Sequence, residues 1–234
     1  MDTAGLTGTW EIDPGHTRIG FATRHAMVTK VRGAFNDVSG RIEVDPADPD
    51  ASTATVTVAM ASIDTRNAQR DEHLRSADFF DVETYPEMTF TSTRIEEVDD
   101  DAYMVTGDLT IRDLTRSIGI PLRFVGIDTD PFGNVRAGVE GTRRLDRRDW
   151  GITWNTPLDS GGLLVGDRIQ LEFELSLITA GGGGRGRPRP TESRAARARA
   201  GLSPGALSDP RAPRAGPRAP PRGAPACRRR ARRR

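Results

Sequence analysis

The chain of 234 residues holds a single cysteine, Cys227, so no disulfide can form within it. That fits a reducing compartment. No segment approaches the ~20 apolar residues of a membrane helix. The opening residues, MDTAGLTGTW, lack the basic start and apolar run of a secretory leader. A cytoplasmic protein without a transmembrane segment is expected. Also missing are a Gly-rich phosphate loop and the paired cysteines of a zinc site. Ser39, Ser76 and Ser160 lack a G-x-S-x-G context, and no nucleophile–base pair stands out. No catalytic residue is assigned.

Charge is unevenly spread. From Gly181 onward there are sixteen arginines against Glu192 and Asp209, a net +14. The whole chain carries +1, so residues 1–180 carry −13. Residues 181–234 are Arg, Pro, Gly, Ala and Ser with almost no large apolar side chain. They bury too little surface to offset chain entropy, which predicts a disordered tail. Nucleic acid or an anionic surface is a secondary expectation for its arginines, although it has no aromatic residue for base stacking. Residues 1–180 suit one domain.

That domain alternates. Ile19, Phe21, Thr23 and His25 share one face of a strand within His16–Val28, with Arg18 and Arg24 on the other. The same period predicts strands at Thr9–Asp13, Val31–Phe35, Gly40–Val44, Ala54–Met60, Met88–Glu96 and Ala102–Arg112. Arg116–Gly126 places Ile118, Ile120, Leu122 and Phe124 together, and Pro121 hints at an edge or bulge. Val135–Thr142 and Asp167–Ile178 complete the set, with Arg143–Gly162 as a charged loop. Many short alternating strands predict a β-sandwich or barrel, and about eight suffice to close a barrel around a ligand-sized interior.

One stretch breaks the pattern. Asp64 and Thr65 are helix-starting residues, and Asn67–Arg75 lacks Gly, Pro and β-branched residues. This predicts a short surface helix with little to bury. Phe79 and Phe80 are adjacent and cannot share one strand face, so they form a turn or a closing plug. Met27, Met60, Met88 and Met104 are adaptable side chains that suit a pocket wall as well as a core. His16 and His25 flank one strand, up to ~30 Å apart if it is straight, which disfavours a shared metal. His25 is either a core histidine or a polar anchor for a ligand head group. His73 is expected in solvent, and no metal site is assigned.

The ordered motifs resemble the YceI-like family of lipocalin-like, polyisoprenoid-binding proteins. They are Trp10-Glu11-Ile12-Asp13 with His16; Phe21 and His25 with Gly33-Ala34-Phe35; and Ser62-Ile63-Asp64-Thr65 with Arg70-Asp71 and Leu74. Ser76-Ala77-Asp78-Phe79-Phe80-Asp81, Tyr85-Pro86, Gly107-Asp108-Leu109-Thr110-Ile111 and Arg147-Arg148-Asp149-Trp150-Gly151 follow. Where that family often has phenylalanine after the aspartate, this chain has Trp150. The resemblance implies an all-β fold: an eight-stranded antiparallel lipocalin-like barrel with a short helical crossover. It implies no cofactor, but a non-covalent isoprenoid or lipid-like ligand held inside, with binding in place of catalysis. A homodimer is left open. On that reading the ligand-facing residues are Ile19, Phe21, Thr23, His25, Phe35, Met60, Phe79, Phe80, Phe90 and Met104. Phe79 and Phe80 would stopper a mouth beneath the helix. The alternative is an interaction or scaffold protein acting through its basic tail on anionic partners.

Overall fold

The computed structural model describes residues 6–45, 47–48, 51–159 and 161–180. The tail expected over residues 181–234, Cys227 included, lies outside the described residues. Among these residues, eleven strand segments and one α-helix follow in order. They are β1 (Gly8–Ile12), β2 (Arg18–His25), β3 (Thr29–Phe35), β4 (Val38–Val44), β5 (Thr53–Ala59) and β6 (Ile63–Asp64), then α1 (Ala68–Arg75). After it come β7 (Glu87–Asp99), β8 (Ala102–Ile111), β9 (Leu114–Thr129), β10 (Val135–Asp146) and β11 (Arg168–Thr179).

The eleven segments make eight barrel positions, because three long strands are broken. β1 and β2 share one edge of β11: Ile12 pairs with Leu177, and Arg18 pairs with Glu174. Next to them β4 pairs with β1 and β3 with β2, then β5 with β4 and β6 with β3. From β5 the wall continues through β7, β8, β9 and β10 to β11, all antiparallel. The β1–β11 pairing closes the ring. A closed eight-stranded barrel has no main edge to protect.

Each break has a local cause. Asp13-Pro14-Gly15 interrupts the first strand, and Asp13 caps the turn by accepting the Gly15 N–H at 2.9 Å. Asn36-Asp37 separates β3 from β4, and a 3-10 turn at Met60–Ser62 separates β5 from β6. Pro121 stands where the β9–β10 ladder stops, next to the last paired residues Leu122 and Gly141. With no N–H to donate, it fits the end of a ladder and not its middle.

Polar side chains tie the first break to the β9–β10 turn. Arg136 donates to Asp13, and its Nε donates to Asp130 Oδ2 at 2.8 Å. Burial pushes the Asp13 carboxyl up, but hydrogen bonds from Arg136, His16 and Gly15 outweigh it and leave it below its ordinary value. Hydrogen bonds from Asn134, then Arg136, hold Asp130 well below the usual range. Depressed carboxyl pKa values stabilise the fold above the ordinary carboxylate range, and that contribution is lost as pH falls through the folded values. Arg136→Met should therefore lower the melting temperature at neutral pH. The gap to wild type should narrow from about pH 4 downward. A gap that stays constant in thermal melts across that range would show that the pairs contribute nothing.

Three sequence expectations need correction. The helix is capped by Asn67, which accepts the Arg70 N–H at 2.9 Å; Asp64 lies in β6 and Thr65 is buried. The helix does bury something, but it is Asp71, which accepts the Thr65 N–H at 2.9 Å and the Thr65 hydroxyl. The loop expected over Arg143–Gly162 starts later. β10 runs to Asp146, and a 3-10 turn at Arg147–Trp150 follows, with Arg147 and Trp150 buried.

Candidate functional site

Because side chains alternate across each strand, every second residue points into the barrel. Val56 and Val58 of β5 face inward, as do Met88 and Phe90 of β7, Ile120, Leu122 and Phe124 of β9, and Leu171, Phe173, Leu175 and Leu177 of β11. They enclose a cavity of about 220 Å³. Val56, Leu122, Val139 and Leu175 line it and are half-buried. The barrel's own side chains leave its middle unfilled.

The two ends differ. At the α1 end, Phe21, Phe35 and Phe80 pack in a row, with ring centroids 5.5 and 6.2 Å apart. Phe79 is 6% exposed and packs against Trp154 at 5.2 Å and His73 at 5.1 Å. Met60 and Ile63 are fully buried in the same core. None of these side chains lines the cavity. The far end is where the cavity wall includes exposed polar residues, Asp45 and Glu97, beside Leu6, Ser52 and Tyr103.

A bulge sets the identity of that far wall. Ser92 pairs with Gly107 and Arg94 with Thr106, so Thr93 is an extra residue in β7. One extra residue reverses which side chains face in. Before it Met88 and Phe90 point inward; after it Ile95 and Glu97 do. Glu97 stands directly across from Tyr103. Arg94 and Glu96 are turned to the outer face and pair with each other at 3.0 Å.

The ten residues expected to meet a ligand fall into four places. Ile19 and Phe90 line the cavity. Phe21, Phe35, Met60, Phe79 and Phe80 form the packed α1 end, so the mouth expected beneath the helix is filled there and the cavity extends the other way. Thr23 and His25 lie where β2 runs past the closed wall. The Thr23 hydroxyl donates to the Gly166 carbonyl at 3.3 Å, and His25 is exposed, bridging to Val165 and not buried inside. Met104 is on the outer face of β8, opposite Pro121, while its neighbours Tyr103 and Val105 face in. His73 keeps 39% of its side chain exposed, as expected on the polar helix, while it also stacks edge-on to Trp154 at 4.6 Å with its Nε2 2.9 Å from Asp78 Oδ2. Missed by the sequence reading were Glu97 and Tyr103, Asp45 and Ser52, and the buried Arg147. Only the alternation of β8 gave a signal for Tyr103. Among the described residues, no group of three or more His, Cys, Asp or Glu is placed to hold a metal ion, and no helix is long and apolar enough to cross a membrane.

Comparison with known proteins agrees with this geometry. The profile of the YceI-like domain matches residues 10–177. A UPF0312 protein of Ectopseudomonas mendocina (strain ymp) is 39% identical over 138 residues, which is 59% of this chain and 72% of that protein. The crystal structure of the Campylobacter jejuni YCEI protein is 30% identical, with a TM-score of 0.56 over 67% of this chain and 90% of its own. A polyisoprenoid binding domain from Saccharophagus degradans, implicated in plant cell wall breakdown, is 15% identical. It superposes with a TM-score of 0.57 over 73% of this chain and 98% of its own, a likeness of fold.

Proposed function

This chain belongs to the YceI-like domain family, and from that footing we propose that it binds and carries a polyisoprenoid, or a similar long apolar lipid-like molecule, inside its barrel. One observation carries the reading: a cavity of about 220 Å³ whose walls are almost wholly aliphatic and aromatic. Native cores are packed to crystal density, so an unfilled centre forfeits contacts that a ligand can supply. The volume exceeds the ~150 Å³ of an engineered apolar cavity that stays dry and takes up benzene. As it stands it suits one or two isoprene-sized units; a longer chain requires the side chains along the axis to move. The polyisoprenoid binding domain of Saccharophagus degradans shares the fold and supports this choice of ligand class. The role proposed is binding without turnover.

Organic extraction and native mass spectrometry of the purified chain test the reading. A hydrophobic molecule should be released, and the emptied protein should take up prenyl alcohols. Affinity should rise by up to ~0.8 kcal/mol per buried CH₂ until the cavity is full, and then level off. An emptied protein that takes up no prenyl alcohol of any length would sink the proposal.

A further inference from the structure

The cavity has one polar end, and its charge is negative. At the open end the wall itself carries Asp45 and Glu97, with Ser52 and Tyr103 beside them. The turns around that opening add Asp48, Asp99, Asp100 and Asp101. Three arginines of the surrounding strands are committed. Arg94 pairs with Glu96, Arg123 with Glu140, and Arg136 with Asp13 and Asp130. No lysine, arginine or histidine lines the cavity. Arg143 is on the inward face of β10, across from Leu171, but it lies beyond Gly141 toward the α1 end and is not part of the cavity wall.

From this we infer that the cavity selects ligands whose polar end is not anionic: a hydroxyl, amide or amine that donates hydrogen bonds to the Asp45 and Glu97 carboxylates, and not a phosphate. The inference rests on the carrier reading above and adds the chemistry of the ligand's head. An apolar tail that fills the barrel from the open end leaves its head at the rim. A hydroxyl or amine there gains charge-assisted hydrogen bonds. A phosphate there brings two negative charges against two carboxylates at the edge of a low-dielectric interior, where repulsion is stronger than in water. No cation of the cavity wall offsets its release from water.

Displacement of all-trans-retinol from the full chain tests both steps, because the probe's emission rises in apolar surroundings and falls when a competitor displaces it. Phosphate held elsewhere on the chain does not score. Farnesol, farnesylamine and farnesyl phosphate share one tail and differ only in the head. Farnesyl phosphate should compete at least about tenfold more weakly than farnesol, which corresponds to about 1.4 kcal/mol, and farnesylamine should compete at least as well. In Asp45→Asn with Glu97→Gln, farnesol and farnesylamine should weaken as they lose their charged acceptors, farnesyl phosphate should not, and phosphate and alcohol should come within about twofold of each other, a gap of under half of that energy. Farnesyl phosphate competing as well as farnesol in the wild type would overturn the inference and turn attention to Arg143, while leaving the carrier reading intact. A gap that persists in the double variant would also overturn it. Failure of retinol and all three farnesyl compounds to bind would bring down both readings together.

Discussion

Replacing Arg147 with methionine should destabilise the barrel by about 3–5 kcal/mol, the range found when one partner of a buried ion pair is removed. The Arg147 side chain is 5% exposed. Its Nη1 donates to the carbonyls of Ile152 and Trp154, both at 2.9 Å, and its Nε donates to that of Gly166 at 3.3 Å. Its Nη2 pairs with Asp167 at 3.0 Å. One guanidinium therefore holds both ends of the segment between β10 and β11. Methionine keeps most of the volume but takes the guanidinium away from the Ile152 and Trp154 carbonyls, and leaves Gly166 to the Thr23 hydroxyl and Asp167 to Arg148 at 3.4 Å. The adjacent arginine is the control. Arg148 is 57% exposed and pairs with Asp146, whose carboxyl it holds down to about 2, and more loosely with Asp167 at 3.4 Å. Surface pairs of this kind contribute little, so Arg148→Met should barely move the unfolding midpoint. Chemical denaturation of the two variants separates the cases. The Arg147 variant should also lose near-ultraviolet signal from Trp154, which packs on His73 and Phe79 beside the loop that Arg147 fixes. Equal midpoints for the two variants would mean that the buried arginine organises nothing.

The contrast between these arginines shows what a sequence can and cannot disclose. Arg147 and Arg148 are adjacent and chemically identical, and no local rule tells which is buried. The answer comes from Gly166 and Asp167, about twenty residues on. The strands are a different matter. Ile118, Ile120, Leu122 and Phe124 alternate without interruption, and so do Leu171, Phe173, Leu175 and Leu177. The structure turns both sets inward. Period-two patterning is a local signal, and a closed barrel with one buried face obeys it closely. It fails at bulges. The extra residue at Thr93 has no signature in Thr91-Ser92-Thr93-Arg94, yet it decides that Glu97 faces the cavity and Arg94 does not. Residue type misled where phase would have served. Met104 shares its residue type with Met60 and Met88, but its even-numbered position in β8 faces outward. Phe79 and Phe80 were rightly set apart from the strands, but which end of a barrel is filled depends on what packs there. Trp154 arrives beside Phe79 from a distant part of the chain.

Filling the cavity from two sides should abolish ligand binding while stabilising the protein, and the opposite signs make the test decisive. Val56 on β5 and Val139 on β10 both line the cavity. In the barrel order β1, β4, β5, β7, β8, β9, β10, β11 they are four positions apart, which places them on opposite walls. Val56→Phe with Val139→Phe would send two rings into the space of about 220 Å³. Rings that enter a void recover dispersion contacts that the lining now lacks, and cavity-filling changes commonly add ~0.5–2 kcal/mol of stability. The same rings occupy the room a prenyl chain needs. Binding of a prenyl alcohol should fall by at least about 100-fold, which is about 2.7 kcal/mol, while the melting temperature holds or rises. Excess volume in a filled core would act the other way, costing ~1–3 kcal/mol through strain. A double variant that melts well below wild type would show that the space is already taken up by motion of the lining. One that stays folded and still binds at full affinity would place the ligand outside the barrel altogether, because no rearrangement of the closed wall restores that room without breaking a ladder between its strands.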